Sequence, residues 1–164
     1  MAAEIVEMGR ASCIELFESY GVQIQPTAMT PTDSSRCCGI IGFTGDGIRG
    51  SVLLAASSEV LQRAYPLEGV PGWDWAGELA NQLLGRLKNH LLSRGVTISL
   101  TTPMVLRGVE IRPVDNAQLR SEMFVSEAIG TVVVWLDIET EPGFVLGASS
   151  AESAGMPEGQ SILF

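Results

Sequence analysis

PGWDWAGELANQLLGRLKNHLLSRG, residues 71–95, carries the longest helical signal in the chain. Pro71-Gly72 opens it, and Gly95 stands at the C′ position where a helix ends most easily in left-handed backbone. The spacing predicts a helix from about Trp73 to Arg94. With Asp74 at 0° and about 100° per residue, Leu79, Leu83, Leu87 and Leu91 fall at about 140°, 180°, 220° and 260°. Ala76 and Ala80 lie among them, at about 200° and 240°. This is one apolar stripe, and it should pack on a sheet. The opposite side holds Glu78 at about 40°, Asn81 at about 340°, Gly85 at about 20° and Lys88 at about 320°, with Gly77 flanking them.

Outward from this helix, residues 4–20 place Ile5, Met8, Cys13, Leu16, Phe17 and Tyr20 at helical spacing ahead of Gly21. Residues 22–28 read as extended, and Pro26 argues for an edge position. The runs 36–44 and 48–56 are β-prone and joined by Gly45-Asp46-Gly47, a hairpin signal. Ser58 is expected to cap a short helix over 59–65 that Pro66 ends. Further strands are expected at 96–106, 109–114, 118–127 and 131–139. Beyond Thr140 the chain is rich in Gly, Ser, Ala, Pro and Glu and reads as loosely ordered, with residues 144–146 the one candidate for a short edge strand. The expected fold class is α+β: a mainly antiparallel sheet packed with a long central helix, in a single domain over 1–139 followed by a Gly/Ser-rich segment over 140–164.

The 164 residues suffice for one domain that buries a core without disulfide or metal. Hydrophobic residues make up 46% and charged residues only 18%, which excludes disorder. The same bias points to apolar surface covered by a partner, such as a second copy of the chain. A net charge of −9, with Lys88 the sole lysine, lacks the basic face that nucleic acid or an acidic membrane requires. The longest charge-free stretch, 19–32, is polar and carries prolines, so no membrane insertion is expected. Met1-Ala2-Ala3-Glu4 lacks a signal peptide's basic and apolar regions. Cys13, Cys37 and Cys38 follow no framework spacing, which fits a reducing cytoplasm.

Several motifs carry no chemistry. Gly45-Asp46-Gly47-Ile48-Arg49-Gly50 matches G-x-G-x-x-G, but a β-prone run follows it where a dinucleotide site needs a helix. Cys37 and Cys38 are adjacent, whereas redox and zinc sites favour C-x-x-C. His90, the single histidine, sits at the edge of the apolar stripe and reads as structural. No G-x-S-x-G occurs.

The polar side of the long helix is unusual. A face meant only for water should carry strong helix formers. Here Gly77 and Gly85 each cost about 1 kcal/mol relative to alanine, and Asn81 is also a weak former. Asp74 to Asn81 spans a rise of only about 10 Å, short enough to enter one partner cleft. On chemistry alone, docking or catalysis and a plain solvated face both remain open.

Asp74-Trp75-Ala76-Gly77-Glu78-Leu79-Ala80-Asn81 resembles the CheC/CheX/FliY family of chemotaxis phosphatases, whose helical signature is Asp/Ser-x-x-x-Glu-x-x-Asn. Gly85 keeps the family's N-x-x-x-G spacing, and Gly95-Val96-Thr97-Ile98-Ser99-Leu100, Thr102-Pro103 and Gly108 follow as in CheX-type sequences. Gly50-Ser51-Val52-Leu53-Leu54 adds to the likeness, which covers about 2–139 and is most specific over 73–108. Glu18 stands where a second site would need asparagine, so one site per chain is implied, as in CheX. The resemblance implies a cytoplasmic homodimer paired through β-elements. Its implied activity is hydrolysis of the phosphoaspartate of a phosphorylated CheY-type response regulator. Asn81 would orient the attacking water and Glu78 would pair with the regulator's lysine. Gly77, Gly85 and Lys88 would contact the partner, and Asp74 would either do the same or simply favour the positive N-terminal end of the helix dipole. No metal or cofactor of its own is implied; Mg²⁺ would arrive on the regulator. Trp73 and Trp75 are expected in core or dimer packing rather than as rim contacts. A rival reading is a non-catalytic module that binds a regulator or belongs to a flagellar switch.

Overall fold

The computed structural model describes residues 1–28, 35–109, 111–126 and 129–148, with backbone only at 35 and 36. In chain order the elements are α1 (Ala2–Ser19), β1 (Gln25–Pro26), β2 (Ser35–Gly45), β3 (Ile48–Ala56), α2 (Ser58–Ala64), α3 (Trp75–Leu92), β4 (Ile98–Leu100), β5 (Met104–Val109), β6 (Leu119–Ser126) and β7 (Gly130–Thr140). The strands form one antiparallel sheet in the order β1-β6-β7-β3-β2-β4, with β5 also paired to β2. The α+β expectation holds, and Pro26 does lie in the edge strand.

The sheet's two faces follow from the period of two along each strand. Ile48, Val52 and Leu54 of β3, and Val132, Val134 and Leu136 of β7, join the core beneath the helices. Cys38, Leu53 and Ala55 point to the other face, where Ile40, Ile111 and Trp135 partly cover them. The hairpin turns at Asp46-Gly47, and Gly47 adopts φ +70°, which an L side chain resists.

α3 crosses β2 and β3 through its Leu79, Leu83, Leu87 and Leu91 stripe, all buried. Gly39 of β2 makes the close approach possible: a Cβ there would overlap the Ala76 carbonyl and stand 2.8 Å from the Ala80 Cβ. α1 runs antiparallel to α3. Arg94 bonds Glu4 at 2.9 Å at one end, His90 stands 3.6 Å from Glu15 in the middle, and Tyr20 bonds Gln82 at 2.9 Å at the other. Arg10 holds α1 to β6 through a bidentate pair with Glu122 at 3.0–3.1 Å. Burial raises the Cys13 thiol well above its ordinary pKa, so it packs as a neutral apolar group.

Four expectations need correction. The predicted strand 96–106 is two strands, because Thr101-Thr102-Pro103 interrupts it. Thr101 still bonds Gly42, through its amide to the carbonyl and its hydroxyl to the Gly42 amide, both at 2.9 Å. Pro103 has no N–H to continue the ladder, and the chain resumes as β5 along the same edge of β2. The predicted strand 109–114 is absent: β5 stops at Val109, and Ile111 folds onto the far face of the sheet. The α2 N-cap is Ser57 rather than Ser58, and its hydroxyl accepts the Thr131 amide at 3.3 Å instead of capping the helix. Residues 144–146 form no strand. There the chain crosses to the end of α3, where the Gly147 amide bonds the Arg94 carbonyl at 2.9 Å. Residues 149–164 lie outside the described part.

Candidate functional site on the third helix

Packing explains which side of α3 remains outside. The leucine stripe takes the sheet, so Asp74 and Glu78 are exposed, and Asn81, Gly85 and Lys88 are half-buried along one line of the helix. Glu78 and Asn81 are one turn apart, which places their Cβ atoms about 5–6 Å from each other. Asp74 occupies the N-cap position without a side-chain capping bond; its carbonyl accepts the Glu78 amide at 2.9 Å. Both carboxylates lie in or beside the first turn, where the helix dipole favours negative charge.

The tryptophans on either side of Asp74 diverge. Trp75 is 8% exposed and meets Tyr20 and Tyr65 edge-on, each at 5.4 Å between ring centroids. Trp73 is 60% exposed, so it is not part of the chain's own core, and the Arg107 guanidinium lies 3.8 Å from its ring centroid. Between Trp73 and Trp75 opens a cavity of about 330 Å³ that Cys37, Leu61, Gln62 and Arg107 also line. Burial pushes the Cys37 thiol up, and the Arg107 charge partly opposes that shift.

The two helix glycines have different causes. Gly85 faces open space: a Cβ there would meet no heavy atom within 4 Å. Gly77, expected at the partner surface, is buried, and a Cβ would stand 2.8 Å from Val105 Cγ2 of β5. Packing within the chain accounts for glycine at 77.

Glu78 Oε1 accepts from Gln82 Nε2 at 2.8 Å, and Gln82 Oε1 accepts from the Tyr20 hydroxyl at 2.9 Å. The sequence reading overlooks both partners. Gln82, at i+4 from Glu78, is a visible signal; Tyr20, 62 residues away, leaves none. Arg107 beside Trp73 is equally invisible from the sequence.

The face has an acceptor in Glu78 and an amide in Asn81 that both donates and accepts, with no nucleophile activated beside a base. Such a face can position and bind. Among the described residues, no cluster of three or more His, Cys, Asp or Glu is placed to hold a metal ion. No described helix is long and apolar enough to cross a membrane.

The architecture is that of CheX- and CheC-like chemotaxis proteins. No family model and no curated sequence matches the chain. Among solved structures, chemotaxis protein CheX from Vibrio vulnificus superposes with a TM-score of 0.70 at 22% identity, covering 85% of this chain and 99% of that one. A chemotactic CheC-like protein from Shewanella oneidensis MR-1 gives 0.71 at 20% identity, covering 85% and 100%. The CheX-CheY-BeF3-Mg²⁺ complex from Borrelia burgdorferi gives 0.62 at 14%, covering 82% and 97%. At these identities the likeness is one of fold.

Proposed function

We propose that this protein is an aspartyl-phosphate phosphatase acting on a phosphorylated CheY-type response regulator. The observation that carries the reading is that Glu78 and Asn81 stand one turn apart on the outward side of a helix packed on the sheet. The fold similarity to a CheX-CheY complex supports the choice of partner.

The chemistry asked of these residues is modest. Water attacks phosphorus, the bond from phosphorus to the aspartyl oxygen breaks, and inorganic phosphate and a free carboxylate result. Phosphoryl transfer is governed mainly by positioning and charge stabilisation. Mg²⁺, carried by the regulator, offsets charge on the phosphoryl oxygens. Asn81 orients the water, since its amide donates and accepts at fixed geometry and has no proton to lose. Glu78 pairs with a lysine of the regulator and sets the depth of insertion. Asp74 and Lys88 contact the partner at either end of the face. Gly85 keeps the surface low. Two copies of the chain pair through β-elements in this reading, and the exposed Met104 and Val109 of the β5 edge supply apolar surface for it.

The test is phosphate release from pre-phosphorylated CheY-type receiver domains of the same organism. Acceleration above the unaided rate is expected; no acceleration with any of them overturns the proposal. In the same assay, Gly85→Ala separates the two demands on that position. It should stabilise the free protein by about 0.5–1 kcal/mol, because the glycine sits in open space within a helix. It should also slow stimulated release, because the added methyl keeps the regulator from the helix. Higher thermal stability with undiminished release would remove Gly85 from the docking surface.

A further inference from the structure

We infer that Gln82 and Tyr20 are positioning residues that set the Glu78 carboxylate before the partner arrives, an inference that rests on the phosphatase reading. The donors run in one direction: the Tyr20 hydroxyl donates to Gln82 Oε1 at 2.9 Å, and Gln82 Nε2 donates to Glu78 Oε1 at 2.8 Å. The carboxylate at the end decides that direction. Ionised, it can only accept, so the Gln82 amide must turn its nitrogen towards Glu78 and its oxygen towards Tyr20. The reverse orientation would set an amide oxygen against a carboxylate oxygen. Each bond in such a chain polarises the next, most strongly where the last acceptor is charged.

Tyr20 is itself held. It follows the last residue of α1, its amide bonds the Phe17 carbonyl at 3.0 Å, and its ring meets the buried Trp75 edge-on. A half-buried ring packed against the core thus reaches an exposed side chain through two hydrogen bonds. Glu78 Oε1 is occupied from its own helix, and among the described residues Oε2 has no hydrogen bond, leaving it for a cation on the partner. An exposed glutamate otherwise samples many rotamers and must give up that freedom on binding. Here part of the ordering precedes the encounter. Asn81 lies outside the relay, which therefore bears on binding and leaves the water step alone.

Two variants test this. Gln82→Met keeps the length of the side chain and removes both bonds, and Tyr20→Phe removes the first bond while retaining the ring against Trp75. Gln82→Met should raise KM for the phosphorylated receiver domain by about 2- to 12-fold with kcat retained, and Tyr20→Phe should raise it less. A fall in kcat with KM unchanged would put Gln82 at the reacting atoms and overturn the inference. A second measurement needs no partner: side-chain NMR couplings of Glu78 and the Gln82 amide protons in the free protein. One dominant Glu78 rotamer is expected in the parent and averaging in Gln82→Met. Averaging already present in the parent, or no change in the variant, overturns the relay. If no receiver domain is dephosphorylated, the phosphatase reading fails alone, and the NMR measurement still decides whether Glu78 is held.

Discussion

Asn81→Ala is expected to drop stimulated phosphate release by about 100-fold or more, close to the regulator's unaided rate, while the complex still forms. The reason is the division of labour on α3. Asn81 is half-buried at mid-helix and adds little area to any contact, so truncating it removes the atoms that hold water in line and leaves the docking surface in place. Glu78→Ala should behave differently. It deletes one partner of a charge-assisted contact worth about 1.5–3 kcal/mol, so affinity falls together with rate. Affinity is measured by calorimetry against a receiver domain in its phosphorylated-like state, and rate by phosphate release at saturation. Unchanged rates in both variants would overturn the assignment. A parent protein that binds the phosphorylated-like receiver domain without accelerating phosphate release would favour the non-catalytic binding module.

Gly39→Ala should produce the largest loss of stability of any single-methyl change near the site, about 3 kcal/mol. The new Cβ would overlap the Ala76 carbonyl, approach the Ala76 carbonyl carbon to 2.7 Å and reach within 2.8 Å of the Ala80 Cβ. Two of these neighbours are backbone and the third is a side chain with no rotamer to change. Relief therefore requires α3 to lift from β2, which breaks leucine packing along the stripe. Urea unfolding should show a lower midpoint with an unchanged slope. Because the lift displaces Glu78 and Asn81 together, the folded fraction should also lose stimulated release. A midpoint equal to that of the parent would mean that helix and sheet are not in the contact described. Gly85→Ala is the matched control: it adds the same methyl to α3 itself, on the open side.

The long helix, its buried leucines and the outward placement of Glu78 and Asn81 are all legible in the sequence. Each depends on a local angle of about 100° per residue and on residues that stop a helix, and both are written along the chain itself. The same holds for the Gly45-Asp46-Gly47 turn, where φ +70° at Gly47 is a requirement of backbone sterics at one position. The break at Thr101-Thr102-Pro103 was less accessible. A run of β-prone residues gives no sign of which edge it will pair with, and Pro103, with no N–H for the ladder, acquires its meaning only beside β2.

Gly77 and Gly85 mark the boundary most clearly. Within the helix they are the same residue at equal cost, and only the arrival of Val105 from β5 makes one a packing necessity and leaves the other open. Tyr20 and Gln82 meet for the same kind of reason, since α1 and α3 become neighbours only when both lie on the sheet. Sequence alone determined the buried leucine stripe of α3 and the outward placement of Glu78 and Asn81, because side-chain period and turn chemistry act over a few residues. Tertiary structure decided which outward groups are held and which glycines are filled against, because those depend on atoms brought from tens of residues away.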